Sequence, residues 1–439
     1  MFVASIAFLC MNIKFIKLAS ASITTGSRAP KLNMSINGIH SQPQQQQQCP
    51  TIIETRLRNA LWGFFAGDAL AMPTHWYYGG FPQIARDYGS QGIVGYTKPV
   101  TTLSGSILNK SNINGGGRGS FAKVPIDTGT KSTSISIIGD VINHGKRDYW
   151  DPSHQVHYHA TLQRGENTLE AQLARVLMRS MVATGGVLDA DHFRQAYVTF
   201  MTTPGSHNDT YASTCHRMFF ANMIFKKLPP DQCPDNDHHN VDTIDGLALP
   251  TITALAMAAA SASSNAETLL DDEMAMNRIA QAAADTVAVT RNSKTLQGVS
   301  KVWSKLVVAS IHRPESELFH KDLEECAKSL GMRRKPASNN RDEMTACYLD
   351  SSLPSTVDMV AKYCTSTPSG VSRVWDGLLA NANVGGENVH RGSILGAILG
   401  ARVAPSAKSD DVSKLQKGLY NKKELEDEID AFVKAVLKK

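Results

Sequence analysis

Strand signals are scarce in this 439-residue chain, and no glycine-rich segment follows a strand-like run. A Rossmann-type nucleotide fold is therefore disfavoured. The seven cysteines (Cys10, Cys49, Cys215, Cys233, Cys326, Cys347, Cys364) form no C-x-x-C pair and no metal-finger spacing. Their odd count fits buried thiols in a reducing compartment better than a disulfide framework. No Gly-x-Ser-x-Gly element is present, which argues against a serine-nucleophile hydrolase. After residue 49 no stretch is long and apolar enough to span a bilayer, so no membrane partner is expected. A basic face is missing too. Of the formal charge of +5, four charges come from Lys14, Lys17, Arg28 and Lys31 in an acid-free N-terminal piece, leaving about +1 for the rest. That balance gives no footing for nucleic acid.

What is present is a chain with 42% hydrophobic residues, enough for a large core. Residues 1–49 read as a leader or disordered tail. Phe2 to Met11 is apolar but short, lysines follow it, and a Ser/Thr-rich stretch leads to the glutamine tract Gln44 to Gln48. An organelle transit peptide and an untargeted tail fit equally, so the compartment stays open. Residues 50–439 read as a single large helical domain, an all-α globule. Helical spacing covers Ile52 to Met72, stopping at Pro73, and then Thr168 to Val182, Asp191 to Met201, Ser213 to Phe225, Leu249 to Ser263 and Asp271 to Thr290. It continues over Lys301 to Ser310, Glu317 to Leu330, Ser355 to Lys362, Gly370 to Ala382, Gly392 to Val403 and Lys422 to Leu437. Three segments interrupt it: the glycine-rich loop from about Tyr96 to Ser134, the Pro- and His-rich Leu228 to Thr243, and a polar link at Ser406 to Ser413.

Several polar groupings stand out. His157-x-His159, with His154 nearby, could chelate a metal if extended, although no acidic partner sits at a fixed offset. His238-His239 among Asp235, Asp237 and Asp242 reads as a solvated loop. Asn208-Asp209-Thr210 reads as a turn followed by a helix cap. Gly392, Gly396 and Gly400 recur every four residues on one helix face, which lets another helix approach closely. The tripeptide Gly-Glu-Asn occurs twice, as Gly165-Glu166-Asn167 and Gly386-Glu387-Asn388, each opening an apolar helical stretch. A helix N-terminus offers unpaired N–H groups and partial positive charge, so a carboxylate there is held and kept ionised. The two copies read as halves of one site.

Gly63-Phe64-Phe65-Ala66-Gly67-Asp68-Ala69-Leu70-Ala71-Met72-Pro73 resembles the opening motif of the ADP-ribosylglycohydrolase superfamily. Both Gly-Glu-Asn segments fall where that family places its acidic motifs. Gly386-Glu387-Asn388 with His390-Arg391-Gly392 is similar to the branch containing the jellyfish J-type lens crystallins. The resemblance covers roughly residues 55–405. It implies an all-α fold and an ADP-ribosylated or related small-molecule substrate. It also implies two magnesium ions between the acidic motifs in active members. Here Glu166 and Glu387 remain, Val389 offers no ligand, and His75 stands where an acid is expected. At most one Mg2+, bound by Glu166 and Glu387, is therefore expected. By the same resemblance Glu166, Glu387, His75 and His390 would be catalytic. Asp68, Asn167, Thr168, Gly385, Gly386 and Asn388 would bind substrate. Two readings follow: a glycosidic-bond hydrolase with an altered, metal-poor site, or a catalytically inactive binding or structural protein of the crystallin kind.

Overall fold

In the computed structural model the described residues are 51–116, 135–236, 240–261, 269–313, 316–332, 342–364, 373–403 and 410–438. The leader, most of the glycine-rich run and His238-His239 lie outside them. Helix α1 (Ile52–Ala71) starts where the Thr51 hydroxyl accepts the Glu54 N–H at 3.2 Å. It is buried nearly all round, which fits its weakly sided apolar pattern. In order follow α2 (Gly80–Tyr88), α3 (Leu169–Ala183), α4 (Ala190–Thr202), α5 (Thr214–Phe225), α6 (Ala248–Ala260) and α7 (Glu273–Thr290). Then come α8 (Lys294–His312), α9 (Ser316–Ser329), α10 (Leu349–Tyr363), α11 (Val374–Val384), α12 (Val389–Ala401), α13 (Asp410–Gln416) and α14 (Lys422–Leu437). Among the described residues only isolated β-bridges occur, such as Thr102 with Val156. The unit Pro50–Lys439 is an all-α fold. No helix among the described residues is long and apolar enough to cross a membrane.

At the centre α1 crosses α12, and glycine decides how closely. A Cβ on Gly63 would lie 2.0 Å from the Gly396 carbonyl oxygen, and one on Gly67 2.0 Å from that of Gly392. The reverse holds too: a Cβ on Gly396 would lie 2.0 Å from the Gly63 oxygen, and one on Gly400 2.2 Å from that of Asn59. The glycines of the opening motif and the later four-residue stripe are thus two faces of one backbone-to-backbone contact. Helices α6, α8, α11, α13 and α14 pack around α1. The crossing brings Asp68, near the end of α1, to the same region as the turn that opens α12.

Boundaries depart from the sequence reading where local rules compete. Helix α14 has the expected limits, because its charged and apolar faces are cleanly separated. Helix α10 begins at Leu349 and carries Pro354 inside, losing one hydrogen bond without stopping. Helix α8 begins at Lys294, where the Ser293 hydroxyl accepts the Leu296 N–H at 2.9 Å, well before the expected Lys301. Helix α12 starts at Val389, three residues before the expected Gly392. Helix α2 was not expected, and α13 occupies part of the expected polar link.

Candidate active site

Both Gly-Glu-Asn turns open with glycine in the left-handed region. Gly165 has φ +73° and Gly386 φ +65°; a Cβ would stand 2.1 Å from the Gly418 oxygen in the first and 2.3 Å from the Thr345 oxygen in the second. Each asparagine staples its turn to the N-terminal part of the domain. Asn167 donates to the Phe65 carbonyl and to Asp68, both at 2.8 Å, and Asn388 donates to the Thr74 hydroxyl at 2.8 Å. Asp68 is fully buried and also accepts the Thr168 N–H at 2.8 Å and the Thr168 hydroxyl at 2.6 Å. Burial raises its pKa, against the pull of these hydrogen bonds. Asp68, Asn167 and Thr168 thus bond to one another and fix the start of α3. Gly385 and Gly386 meet the backbone of Tyr77 and Trp76; the Trp76 N–H donates to the Gly386 oxygen at 2.7 Å.

The glutamates diverge. Glu166 turns back to accept the Gln163 N–H at 2.7 Å and faces a cavity of about 630 Å³ with Lys146, Arg175, His207 and Tyr420. Burial raises its pKa, against the pull of the Gln163 N–H and the Asn208 side chain. Glu387 is buried and faces another cavity, of about 400 Å³, which shares no lining residue with the first. The structure does not bring the two carboxylates to one cavity. Glu387 accepts the Trp76 indole N–H at 2.7 Å and lies 3.0 Å from His75 Nε2 and 2.7 Å from His390 Nδ1. Burial opposes its charge, but His75 and His390 outweigh that and hold it well below the usual carboxylate range. His390 also loses by burial, yet Glu387 pushes it up to about 10. Burial takes His75 down to about 4.

A buried chain of polar side chains continues behind His75. Its Nδ1 lies 2.7 Å from His159 Nε2, and His159 Nδ1 lies 2.8 Å from Asp209. The other Asp209 oxygen accepts the Leu169 N–H at 2.8 Å, in the first turn of α3. Asp209 therefore caps a helix some forty residues upstream, not the one that follows, whose N-cap is Ser213. The capping expectation was right in kind and wrong in partner. His157 accepts the His159 N–H at 3.0 Å and places its other nitrogen 3.0 Å from the Pro73 oxygen. Both rings are thus paired inside the protein, which closes the chelate imagined for His157 and His159; His154 is exposed.

The Glu387 cavity is also lined by Trp76, Tyr78, Tyr211, Tyr348, Arg217 and Asp245. Trp76 sits at φ +60°, a conformation rare for a bulky residue, held by its bonds to Gly386 and Glu387. Asp245 accepts from Thr243 and, at 2.6 Å, from Arg291. Asp245 and Arg217 are not marked as site residues by the sequence, and it marks His159 only as a candidate chelator and Asp209 only as a helix cap, since nothing local marks their long-range partners. Magnesium between Glu166 and Glu387 does not fit this arrangement. The carboxylates are apart, and the donors beside Glu387 are imidazole nitrogens, whereas Mg2+ takes oxygen ligands.

An all-helical domain is the class this geometry defines. Residues 50–438 match the model of the family described as ADP-ribosylglycohydrolase, and the chain belongs to that family. Among solved structures, one titled "ADP-ribosylglycohydrolase-related protein complex" is similar over 88% of this chain and 99% of its own, with 13% identity and a TM-score of 0.47. No curated protein matches significantly. The family acts on ADP-ribosylated substrates and is usually metal-dependent.

Proposed function

We propose that this chain hydrolyses an ADP-ribosyl glycosidic bond at an altered site centred on Glu387 and His390. One observation carries the reading: these two side chains, 2.7 Å apart, together line an aromatic cavity of about 400 Å³. Trp76, Tyr78, Tyr211 and Tyr348 offer ring faces and edges to a base or ribose, and Arg217 offers positive charge to a diphosphate. Glu387, kept ionised, stabilises positive charge developing at the anomeric carbon. His390, protonated at neutral pH, donates to the leaving group. Asp245 is the other carboxylate lining the cavity and the candidate base for water. Asp68, Asn167, Thr168, Gly385, Gly386 and Asn388 position these groups, and Glu166 stands outside the reaction.

A second reading has its own support. Glu387 already receives hydrogen bonds from Trp76 and His390, lies within hydrogen-bond distance of His75, and is 1% exposed, as suits a binding or structural protein of the crystallin-like branch. Purified full-length chain assayed on ADP-ribosylated arginine and serine peptides separates the two. Release of ADP-ribose, reduced at least about 100-fold in Glu387→Gln with ligand binding retained, supports the hydrolase. Thermal stabilisation by ADP-ribose without turnover supports the binding protein. Neither response defeats both.

A further inference from the structure

The contacts around His75 need more positive charge than neutral rings supply. A neutral imidazole carries one N–H. The run from Glu387 through His75 and His159 to Asp209 has three contacts, at 3.0, 2.7 and 2.8 Å, and each needs one hydrogen between its heavy atoms. Two neutral rings supply two. If Asp209 takes the N–H of His159 Nδ1, His159 Nε2 must accept from His75 Nδ1. His75 Nε2 then turns a bare lone pair toward a carboxylate oxygen 3.0 Å away. Either an extra proton or a metal ion belongs there.

We propose that His75 Nε2, Glu387 and His390 Nδ1 form a single-ion site for a zinc-class divalent cation. His75 Nε2 and His390 Nδ1 lie 3.0 and 2.7 Å from the Glu387 carboxylate, and one ligand atom from each residue lies within 4.8 Å of the others, a spread that small side-chain shifts would close onto one ion at about 2.0–2.2 Å from each. Two imidazoles, one carboxylate and a side open to a cavity form a zinc-type donor set, unlike the carboxylate-rich set that suits magnesium. The outer shell is built as well. His159 and Asp209 fix the tautomer of His75, and the Trp76 N–H holds Glu387 at 2.7 Å. One divalent ion with neutral rings also balances the two buried charges of Glu387 and Asp209.

The other buried cluster, Glu170 with Cys215 and His216, has no such deficit. Arg291 stands 3.8 Å from Glu170, and the Ser213 hydroxyl and His216 ring bond to it at 2.9 and 2.8 Å. Positive charge is already in place there.

The metal inference takes His390 as a neutral ligand where the proposed hydrolysis takes it as a protonated acid, and its readout, metal content, is separate from turnover. Full-length protein, stripped with chelator, is exposed to Zn2+ or Mg2+, gel-filtered, and measured for bound metal and melting temperature. About one equivalent of zinc should be retained and raise the melting temperature, with no such effect of magnesium. His390→Ala and His75→Ala should lose the zinc, and Cys215→Ser should keep it. Cobalt in the wild-type protein provides a readout that needs no variant: an intense low-coordinate spectrum without a thiolate charge-transfer band. Zinc absent from folded wild-type protein, retained in His390→Ala or lost in Cys215→Ser, or a thiolate band, would overturn the assignment.

Discussion

Replacing Gly396 by alanine tests the crossing that positions the site. The new Cβ would lie 2.0 Å from the Gly63 carbonyl oxygen, where ordinary contacts begin near 3.4 Å, so α1 and α12 must part by roughly 1.4 Å. Neither partner is a side chain that can swing away; both are backbone. Overpacking of a well-filled interior costs about 1–3 kcal/mol, and a contact that cannot relax by rotation belongs at the upper end, about 3 kcal/mol. Gly298→Ala is the matched control. It lies on the exposed side of α8 with nothing within 4 Å of its Cβ, so it should stabilise by about 0.5–1 kcal/mol. Urea unfolding measures both. Gly63→Ala combined with Gly396→Ala should cost less than the sum of the two, since one separation of the helices relieves both clashes. A Gly396→Ala penalty below about 1 kcal/mol, or strict additivity with Gly63→Ala, would refute backbone contact at this crossing.

Further outcomes follow from individual groups. His157 is held neutral by burial, down to about 3 from 6.5, so between those values the unfolded chain binds a proton that the folded one does not. Stability should therefore fall as pH drops through 6.5, by roughly 2–3 kcal/mol at pH 4.5; unchanged urea midpoints in wild type relative to His157→Gln would contradict this. Asp209→Asn cannot accept from both His159 and Leu169, so it should cost about 1–3 kcal/mol and speed amide exchange in the first turn of α3. Slow exchange there, equal to wild type, would remove Asp209 as the cap. Asp68→Ala strands the donors of Asn167 and Thr168 in the interior and should cost at least about 3 kcal/mol; a thermal scan showing a smaller loss than Asp209→Asn would reverse their ranking. Glu166→Gln keeps an acceptor for the Gln163 N–H and should reduce turnover far less than Glu387→Gln; equal losses would return Glu166 to the site.

The doubled tripeptide shows which features are legible in sequence. Glycine and asparagine recur because their tasks are local: a left-handed turn, and an amide that reaches neighbouring backbone or side-chain groups. Helical periods were readable for the same reason, most cleanly in α14, whose faces need no partner to define them. The glutamates share a sequence context but not an environment. Trp76 and His75, more than three hundred positions earlier, lie against Glu387, whereas Glu166 meets the Gln163 N–H and the Asn208 side chain. Asp209 misled in the same way, since cap chemistry is written in its side chain but the helix it caps is chosen by packing. The pairing of two glycine stripes decides that packing, and each stripe alone says only that something comes close. What converts a repeated motif into one site and one strut is therefore the α1–α12 crossing: it sets His75 and Trp76, just beyond the end of α1, against Glu387 at the start of α12.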